Sequence, residues 1–395
     1  MGAEIDTYFP DPWSLVPPER TAVLNNWRKP PQNRWALRNV SKLLTTELID
    51  RRSESFLKLE EAPRNLSGVT FPADGTANTL GAFLPLSHTD GFLALHRGKV
   101  AFEYYTPGMA PDERHVMFSV SKSVLGMVFG TLQAKGLVDP ARLIIDYVPE
   151  LAGSAYADAT VQHALDISVE VEFDETYSVV GGDVDQYRRV NGWDPVDDRP
   201  PHSAREYLRG LKRAAGDHGT RFHYVSPDTD VAAWAAERVS GQSYARLVQD
   251  FLWKPIGAEH SAYMTVDRFG VARAAGGLCA TLRDMGRIAL AMSGDPRLRG
   301  VLPQAFLDDT FHAADPAVWA RGLSKDYIPG GRYRNSWYLT RGDAALAIGI
   351  HGQWLYVDPA RQVVIVKQAS QPLASEPATD HASMAAFEAI AKALN

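Results

Sequence analysis

The chain has 395 residues, 45% hydrophobic and 22% charged, with 31 Gly and 25 Pro spread along it. These are globular values, and the length suits two ordinary domains or one domain with a large insertion. The 41 basic and 47 acidic residues give a net charge of -6, and no basic cluster exceeds pieces such as RGLKRAAG, which argues against a nucleic-acid partner.

The opening MGAEIDTYFPDPWSLVPPER lacks the basic start and apolar core of a signal peptide. No run reaches the ~18 apolar residues of a membrane span, so a cytoplasmic location is expected and no membrane partner. GFLALHRGKVAFEYY, from Gly91 to Tyr105, predicts a hairpin turning between His96 and Lys99. MFSVSKSVLGMVFGTLQAKG, from Met117 to Gly136, predicts a helix apolar nearly all round, closed by Gly136 and followed by Pro140. Such a helix belongs at the centre of a fold. From about Thr160 to about Trp253, segments such as SAREYLRGLKRAAG and TDVAAWAAERVSGQSYARLVQDFLWKPIG predict helices. Between these helices TYSVVGGDVDQYRRVNGWDPVDDRPPHS reads as a long loop of the kind often found beside a cleft.

Thr281 stands three residues before Asp284, a capping-box spacing, and Leu282, Met285 and Ile288 continue one helix face. AALAIGIHGQWLYVDPARQVVIVKQAS predicts three strands, interrupted at His351-Gly352 and turned at Asp358-Pro359. Met384, Phe387, Ile390 and Leu394 then mark a closing amphipathic helix. The expected fold class is α+β. An antiparallel sheet flanked by helices would be built from both ends of the chain, residues 1–155 and 265–395, with a mainly helical insertion at 156–264.

Ser119 and Lys122 are one turn apart at the head of the apolar helix. Helix N–H groups there favour the anion formed when a serine attacks a carbonyl, and burial would lower the lysine toward a neutral amine able to take the serine proton. The alternative is a capping serine and a lysine that reaches solvent. Tyr224-Val225-Ser226, just before a helix, offers a further proton carrier, and the strand break at Ile350-His351-Gly352 offers a backbone N–H for an oxyanion hole. Cys279 is the single cysteine, so an internal disulfide is impossible; its setting, GGLCATL, suggests a buried small hydrophobe. There is no G-x-S-x-G elbow, H-E-x-x-H or phosphate-binding loop, and DVDQYRRVNG lacks the sixth-position glycine of a calcium loop. No metal or cofactor is expected.

S-x-x-K, then Y-x-S, then an H-G element at a strand break, in this order, resemble the β-lactamase-fold serine hydrolases, which include class C β-lactamases, D-alanyl-D-alanine peptidases and family VIII esterases. Within that group the chain is similar to the 6-aminohexanoate-dimer (nylon-oligomer) hydrolases. The similarity runs through NNWRKPPQNRWALRNV, DERHVMFSVSKSVLG, DYVPELAGSAY, YVSPDTDVAAW and IGIHGQWLYVDP, over most of the chain.

The resemblance implies Ser119 as nucleophile, Lys122 and Tyr224 as the proton-transfer pair, and the backbone N–H groups of Ser119 and Ile350 as the oxyanion hole. Tyr177 matches a tyrosine lying over the scissile amide in the oligomer hydrolases, or is a half-buried loop aromatic. His351 orients substrate or fastens the strand break, and His381 faces the cleft or merely starts the last helix. Ala275 stands where the oligomer hydrolases carry an asparagine. Arg188 and Arg189 follow Asp183 and Asp185 in a loop where a carboxylate would suit a substrate's free ammonium. The implied activity is cofactor-free cleavage of a small linear amide or ester through an acyl-enzyme. Two alternatives stand beside it: a carboxylesterase with little amidase activity, and a module that captures a ligand without turnover. The oligomeric state is left open, a homodimer among the options.

Overall fold

Residues 97 and 98 form the predicted hairpin turn, both with positive φ, 53° at Arg97 and 73° at Gly98, the geometry that matches the twist of the strands it joins. The computed structural model describes residues 21–51, 55–73 and 76–395. The opening segment read for a signal peptide lies outside the described residues.

The strands in chain order are β1 (Thr46–Ile49), β2 (Thr70–Ala73), β3 (Thr76–Thr79), β4 (Thr89–His96), β5 (Lys99–Tyr105), β6 (His115–Val116) and β7 (Ala262–Thr265). They continue as β8 (Leu278–Ala280), β9 (Arg332–Arg334), β10 (Trp337–Leu339), β11 (Ala345–Gly349), β12 (Gln353–Asp358) and β13 (Val363–Ala369). The main sheet is antiparallel, in the order β5-β4-β13-β12-β11-β10-β9, so the first hairpin pairs directly with the last strand, Leu93 opposite Val366. Both ends of the chain therefore meet in one sheet, as expected for the α+β class. A smaller sheet, β1-β7-β8-β6, leads into the apolar helix, and β2 and β3 form a ribbon. β13 lies inside the main sheet and is buried along its length, which explains its unbroken apolar start, VVIV.

Five helices position or support the site: α1 (Val120–Ala134), α2 (Asp183–Val190), α3 (Ser226–Ser240), α4 (Leu282–Met292) and α5 (Pro377–Leu394). α1 is buried from Val120 to Gly130 and again at Leu132. It ends at Gly136, φ 67°, where the Leu137 N–H reaches the Leu132 carbonyl in a Schellman closure. Gly126 is required by a close crossing: a Cβ there would lie 2.0 Å from the Asn335 carbonyl oxygen. Thr281 caps α4 by accepting the Asp284 N–H at 3.2 Å. In α5, Phe387, Ile390 and Leu394 are buried.

α2 corrects the sequence reading, because it occupies part of what was expected to be a continuous loop. Val184, Tyr187 and Val190 recur every third residue on its buried side, with aspartates in the first turn and arginines in the last, the charge order that suits the helix dipole. Among the described residues no strand lies between β6 and β7, and no helix is long and apolar enough to cross a membrane.

Candidate active site

The chain leaves β6 and enters α1 through a bend at Phe118, a buried non-glycine residue with φ 43°. Such a conformation costs free energy and persists where surrounding structure enforces it. Here Phe118 is gripped between the rings of Trp27 and Trp193, and the Met117 N–H is held by the Leu278 carbonyl at 2.8 Å. The bend sets Ser119 at the N-cap of α1, yet its hydroxyl makes no capping bond. Lys122 is 1% exposed. Neither the capping serine nor the solvent-reaching lysine is found.

Lys122 Nζ lies 2.9 Å from Ser119 Oγ, 3.1 Å from Ser226 Oγ and 2.9 Å from the Ala275 carbonyl oxygen. Ser226 donates its own proton to Glu175 Oε1 at 2.6 Å, so toward Lys122 it can only accept, as can the carbonyl. A neutral Lys122 thus spends both its hydrogens on Ser226 and Ala275, and its lone pair is left for the Ser119 hydroxyl proton. Burial pushes the Lys122 pKa down to about 7, against the opposing pull of Glu175, so near neutral pH a large fraction is neutral.

Tyr224 closes the other side. Its hydroxyl lies near enough to Ser119 for the serine to favour the ionised form, and its ring lies 5.0 Å from Lys122 Nζ. Burial, reinforced by Glu175, raises its pKa despite the Ser119 contact, so it remains a phenol. Glu175 also accepts the Ser226 N–H at 2.9 Å and the Tyr177 hydroxyl at 2.8 Å. Behind Ala275, Asp230 accepts the Ala275 N–H at 2.8 Å and the Tyr187 hydroxyl at 2.5 Å, and pairs with the Arg273 guanidinium. Burial opposes the charge on Arg273, but Asp230, Tyr187 and Glu175 together outweigh it and raise the pKa. This buried pair fixes the carbonyl that holds Lys122.

β11 runs out at Gly349 beside Ser119. A Cβ on Gly349 would sit 2.5 Å from the Met117 carbonyl oxygen and 3.1 Å from the Ser119 nitrogen, so only glycine brings this strand so close. Ile350 follows and lines the cavity that holds Ser119. Among the described residues neither the Ser119 N–H nor the Ile350 N–H has a backbone acceptor. His351, φ 60°, donates its Nδ1–H to the Gln371 carbonyl at 2.8 Å and its backbone N–H to Ala374 at 2.9 Å. Burial lowers its pKa to about 4, so it stays neutral. These bonds fit the strand-fastening alternative.

The cavity at Ser119 is narrow, about 20 Å³, and opens beside an outer one of about 530 Å³. Glu175, Tyr177 and Arg188 line both. Ala275 lines the inner cavity. Arg188 pairs with Asp185 at 3.0 Å, its guanidinium 5.7 Å from the Tyr177 ring centre. Arg189 turns away to Asp197 at 3.1 Å and the Arg199 carbonyl at 2.9 Å, so the two arginines do not share the site. Cys279 is fully buried, and the His381 ring meets the Tyr327 carbonyl at 3.2 Å. Glu175, Asp230 and Arg273 escaped the sequence reading. Glu175 stands only two residues before Tyr177, but nothing local marks it as the partner of Ser226.

Residues 79–387 match the Beta-lactamase family. The chain belongs to that family. Its members are hydrolases, and this chain is a β-lactamase-fold hydrolase. It is 35% identical, over 91% of its own length and 90% of the relative's, to 6-aminohexanoate-dimer hydrolase of Paenarthrobacter ureafaciens. A solved Bacillus anthracis structure titled as a candidate 6-aminohexanoate-dimer hydrolase superimposes with TM-score 0.86 at 25% identity, covering 96% of this chain and 99% of that one. A family VIII carboxylesterase shares the fold at TM-score 0.55 and 15% identity, over 77% of this chain and 92% of the other.

Proposed function

We propose that this β-lactamase-fold hydrolase cleaves small linear amides, of the kind named for its 6-aminohexanoate-dimer relative, through a Ser119 acyl-enzyme. The observation that carries the reading is the Lys122 amine, 2.9 Å from Ser119 Oγ with its other two contacts restricted to acceptors. Lys122 takes the Ser119 proton as Oγ attacks the carbonyl carbon. The oxyanion is received by the N–H groups of Ser119 and Ile350, and Tyr224, held as a phenol, donates its proton to the leaving nitrogen while Lys122 re-protonates it. Water then attacks the acyl-enzyme by the reverse route. Tyr224 therefore serves as proton donor and relay, with Lys122 alone as base.

The same machinery would hydrolyse an ester, whose better leaving group asks less of Tyr224. The methyl of Ala275 in the inner cavity supports this second reading, since that side chain offers an amide no polar contact. A binding-only role has less support, because every proton-carrying group of an acyl transfer is within reach of Ser119. The test is a panel of p-nitrophenyl esters, nitrocefin and linear amide oligomers, run on the wild type and Ser119→Ala. Ser119→Ala should lose all turnover and all fluorophosphonate labelling. It should keep its melting temperature to within a few degrees, because the side chain makes no capping bond whose loss would cost ~1 kcal/mol. A folded Ser119→Ala variant with near wild-type turnover would falsify the assignment.

A further inference from the structure

Two stretches of chain deliver Glu175 and Tyr224 to the site: residues 167–175, and a loop, 211–223, that ends one residue before Tyr224. The two are laced together by their backbones. The Ala214 N–H donates to the Glu170 carbonyl at 3.1 Å, the Gly219 N–H to Ser168 at 2.9 Å and the His223 N–H to Ile167 at 2.9 Å. Two imidazoles complete the lacing. His218 Nδ1 accepts the Glu170 N–H at 2.9 Å, and its Nε2 faces Asp158 Oδ1 at 3.0 Å. A backbone N–H can only donate, so Nδ1 holds the lone pair and Nε2 the hydrogen. His163 Nδ1 accepts the Thr160 N–H at 3.2 Å, the return half of a capping box on the short helix Val161–Leu165. The Ser168 hydroxyl ties that helix to 167–175 by donating to the His163 carbonyl at 3.2 Å. Gly219, φ 77°, passes so near His163 that a Cβ there would lie 2.9 Å from its Nε2.

We propose that His163 and His218 are positioning residues: as neutral rings they hold, through Nδ1, the two segments that carry Glu175 and Tyr224 to Ser119, and protonation releases those segments. This rests on the hydrolase reading above and goes beyond it by giving the site an acid-sensitive support. Each proton would fill the lone pair that a backbone N–H needs, and the two rings are only 5.9 Å apart, so two imidazolium charges would repel. The charged groups around them are few. Asp158 favours a proton on the pair, but it is 60% exposed and shared with Arg213 at 3.2 Å. Glu170 is taken by two Arg221 nitrogens, at 2.6 and 2.7 Å. Burial, then His218, lowers the His163 pKa; burial, then Arg221, lowers that of His223 beside Tyr224. The unfolded chain therefore binds these protons first, and stability here is lost as pH falls below 6.5, the ordinary histidine value.

Asparagine keeps an acceptor where Nδ1 stands and takes up no proton near neutrality, so the test is the double variant His163→Asn/His218→Asn. Near pH of about 8 it should match the wild-type kcat, and down to about pH 6 Lys122 should set a fall common to both. Below that the wild type should fall faster, leaving the variant ahead by about fivefold at pH of about 5, the factor one backbone hydrogen bond is worth. Hydrogen exchange, corrected for its intrinsic pH dependence, should quicken in wild-type peptides from 167–175 and 211–223 between about pH 8 and about pH 5, and stay slow in the variant. His218→Leu, which removes the acceptor, should lower kcat at every pH with KM nearly unchanged. A variant-to-wild-type ratio fixed at unity, or wild-type exchange in those peptides no faster in acid, overturns the inference. Should the double variant fail to fold, the wild-type exchange and the two single asparagine variants decide in the same way. Exchange needs no substrate, so an absence of all turnover and of fluorophosphonate labelling counts against the hydrolase reading, while exchange still decides whether acid releases the segments.

Discussion

Glu175 accepts a hydrogen bond from the Ser226 hydroxyl at 2.6 Å, and Ser226 in turn stands 3.1 Å from Lys122. The carboxylate is thus one residue removed from Lys122, the proposed base. It acts on Lys122 in two ways: it obliges Ser226 to accept, which orients the amine, and its charge raises the Lys122 pKa against burial. Glu175→Gln removes the charge and keeps the shape. The lysine should then be neutral to lower pH, moving the acid limb of kcat/KM below its wild-type position near 7, while the plateau falls because a carboxamide can donate to Ser226 and spoil the orientation. A limb that stays in place, or moves to higher pH, removes Glu175 from the site's electrostatics.

For the wild type, kcat/KM should rise with unit slope as pH rises and level off above about 7, as the Lys122 amine loses its proton. Lys122→Arg retains a cation of similar reach that stays protonated at every working pH. Its kcat should drop by on the order of 10³ or more, with no recovery at high pH. An arginine variant that kept most of the rate would make position 122 a fixed charge rather than a base.

The same buried amine carries a stability prediction. Burial lowers the Lys122 pKa to about 7 in the folded chain, against 10.5 for an ordinary lysine. Between those two values the unfolded chain binds a proton that the folded chain does not, so stability gained from the neutral amine grows with pH across that window. Below it, the folded protein holds a buried charge and bears the full penalty. Lys122→Met, of similar volume, should therefore raise the melting temperature most near about pH 6 and much less near about pH 9. A gain independent of pH would mean that the lysine does not titrate in this range.

What could be read from the sequence was what is local. The Arg97-Gly98 turn, the apolar helix from Val120 and the three closing strands each announce themselves within a dozen residues, by turn chemistry or by periodicity. α2 was hidden because its three buried residues, Val184, Tyr187 and Val190, are outnumbered by aspartates and arginines that resemble a solvated loop. Missing the helix also misplaced Arg189: neighbours on a helix point about 100° apart, so Arg188 meets the cavity while Arg189 meets Asp197. Glu175 joins the site by a contact with Ser226 that spans 51 residues. No pattern along the chain encodes such a pairing; it follows from how the loop before α2 folds over α3.

Gly349 gives the sharpest test of the oxyanion hole. It ends β11 against the backbone from Met117 to Ser119, and an added Cβ would have to lie 2.5 Å from the Met117 carbonyl and 3.1 Å from the Ser119 nitrogen. Both contacts are with backbone, which has no flexible end to yield. Gly349→Ala must therefore push the strand break away from Ser119, carrying the Ile350 N–H with it. Loss of one oxyanion donor should lower kcat by ~10²–10³, at a stability cost of ~1–3 kcal/mol for the overpacking. Because the oxyanion exists only in the transition state, kcat and kcat/KM should fall together with KM nearly unchanged. Labelling by a fluorophosphonate, which also develops negative charge on oxygen, should slow in parallel. A folded Gly349→Ala enzyme with normal kcat, or one whose defect lies wholly in KM, would show that the break at Ile350 does not receive the oxyanion.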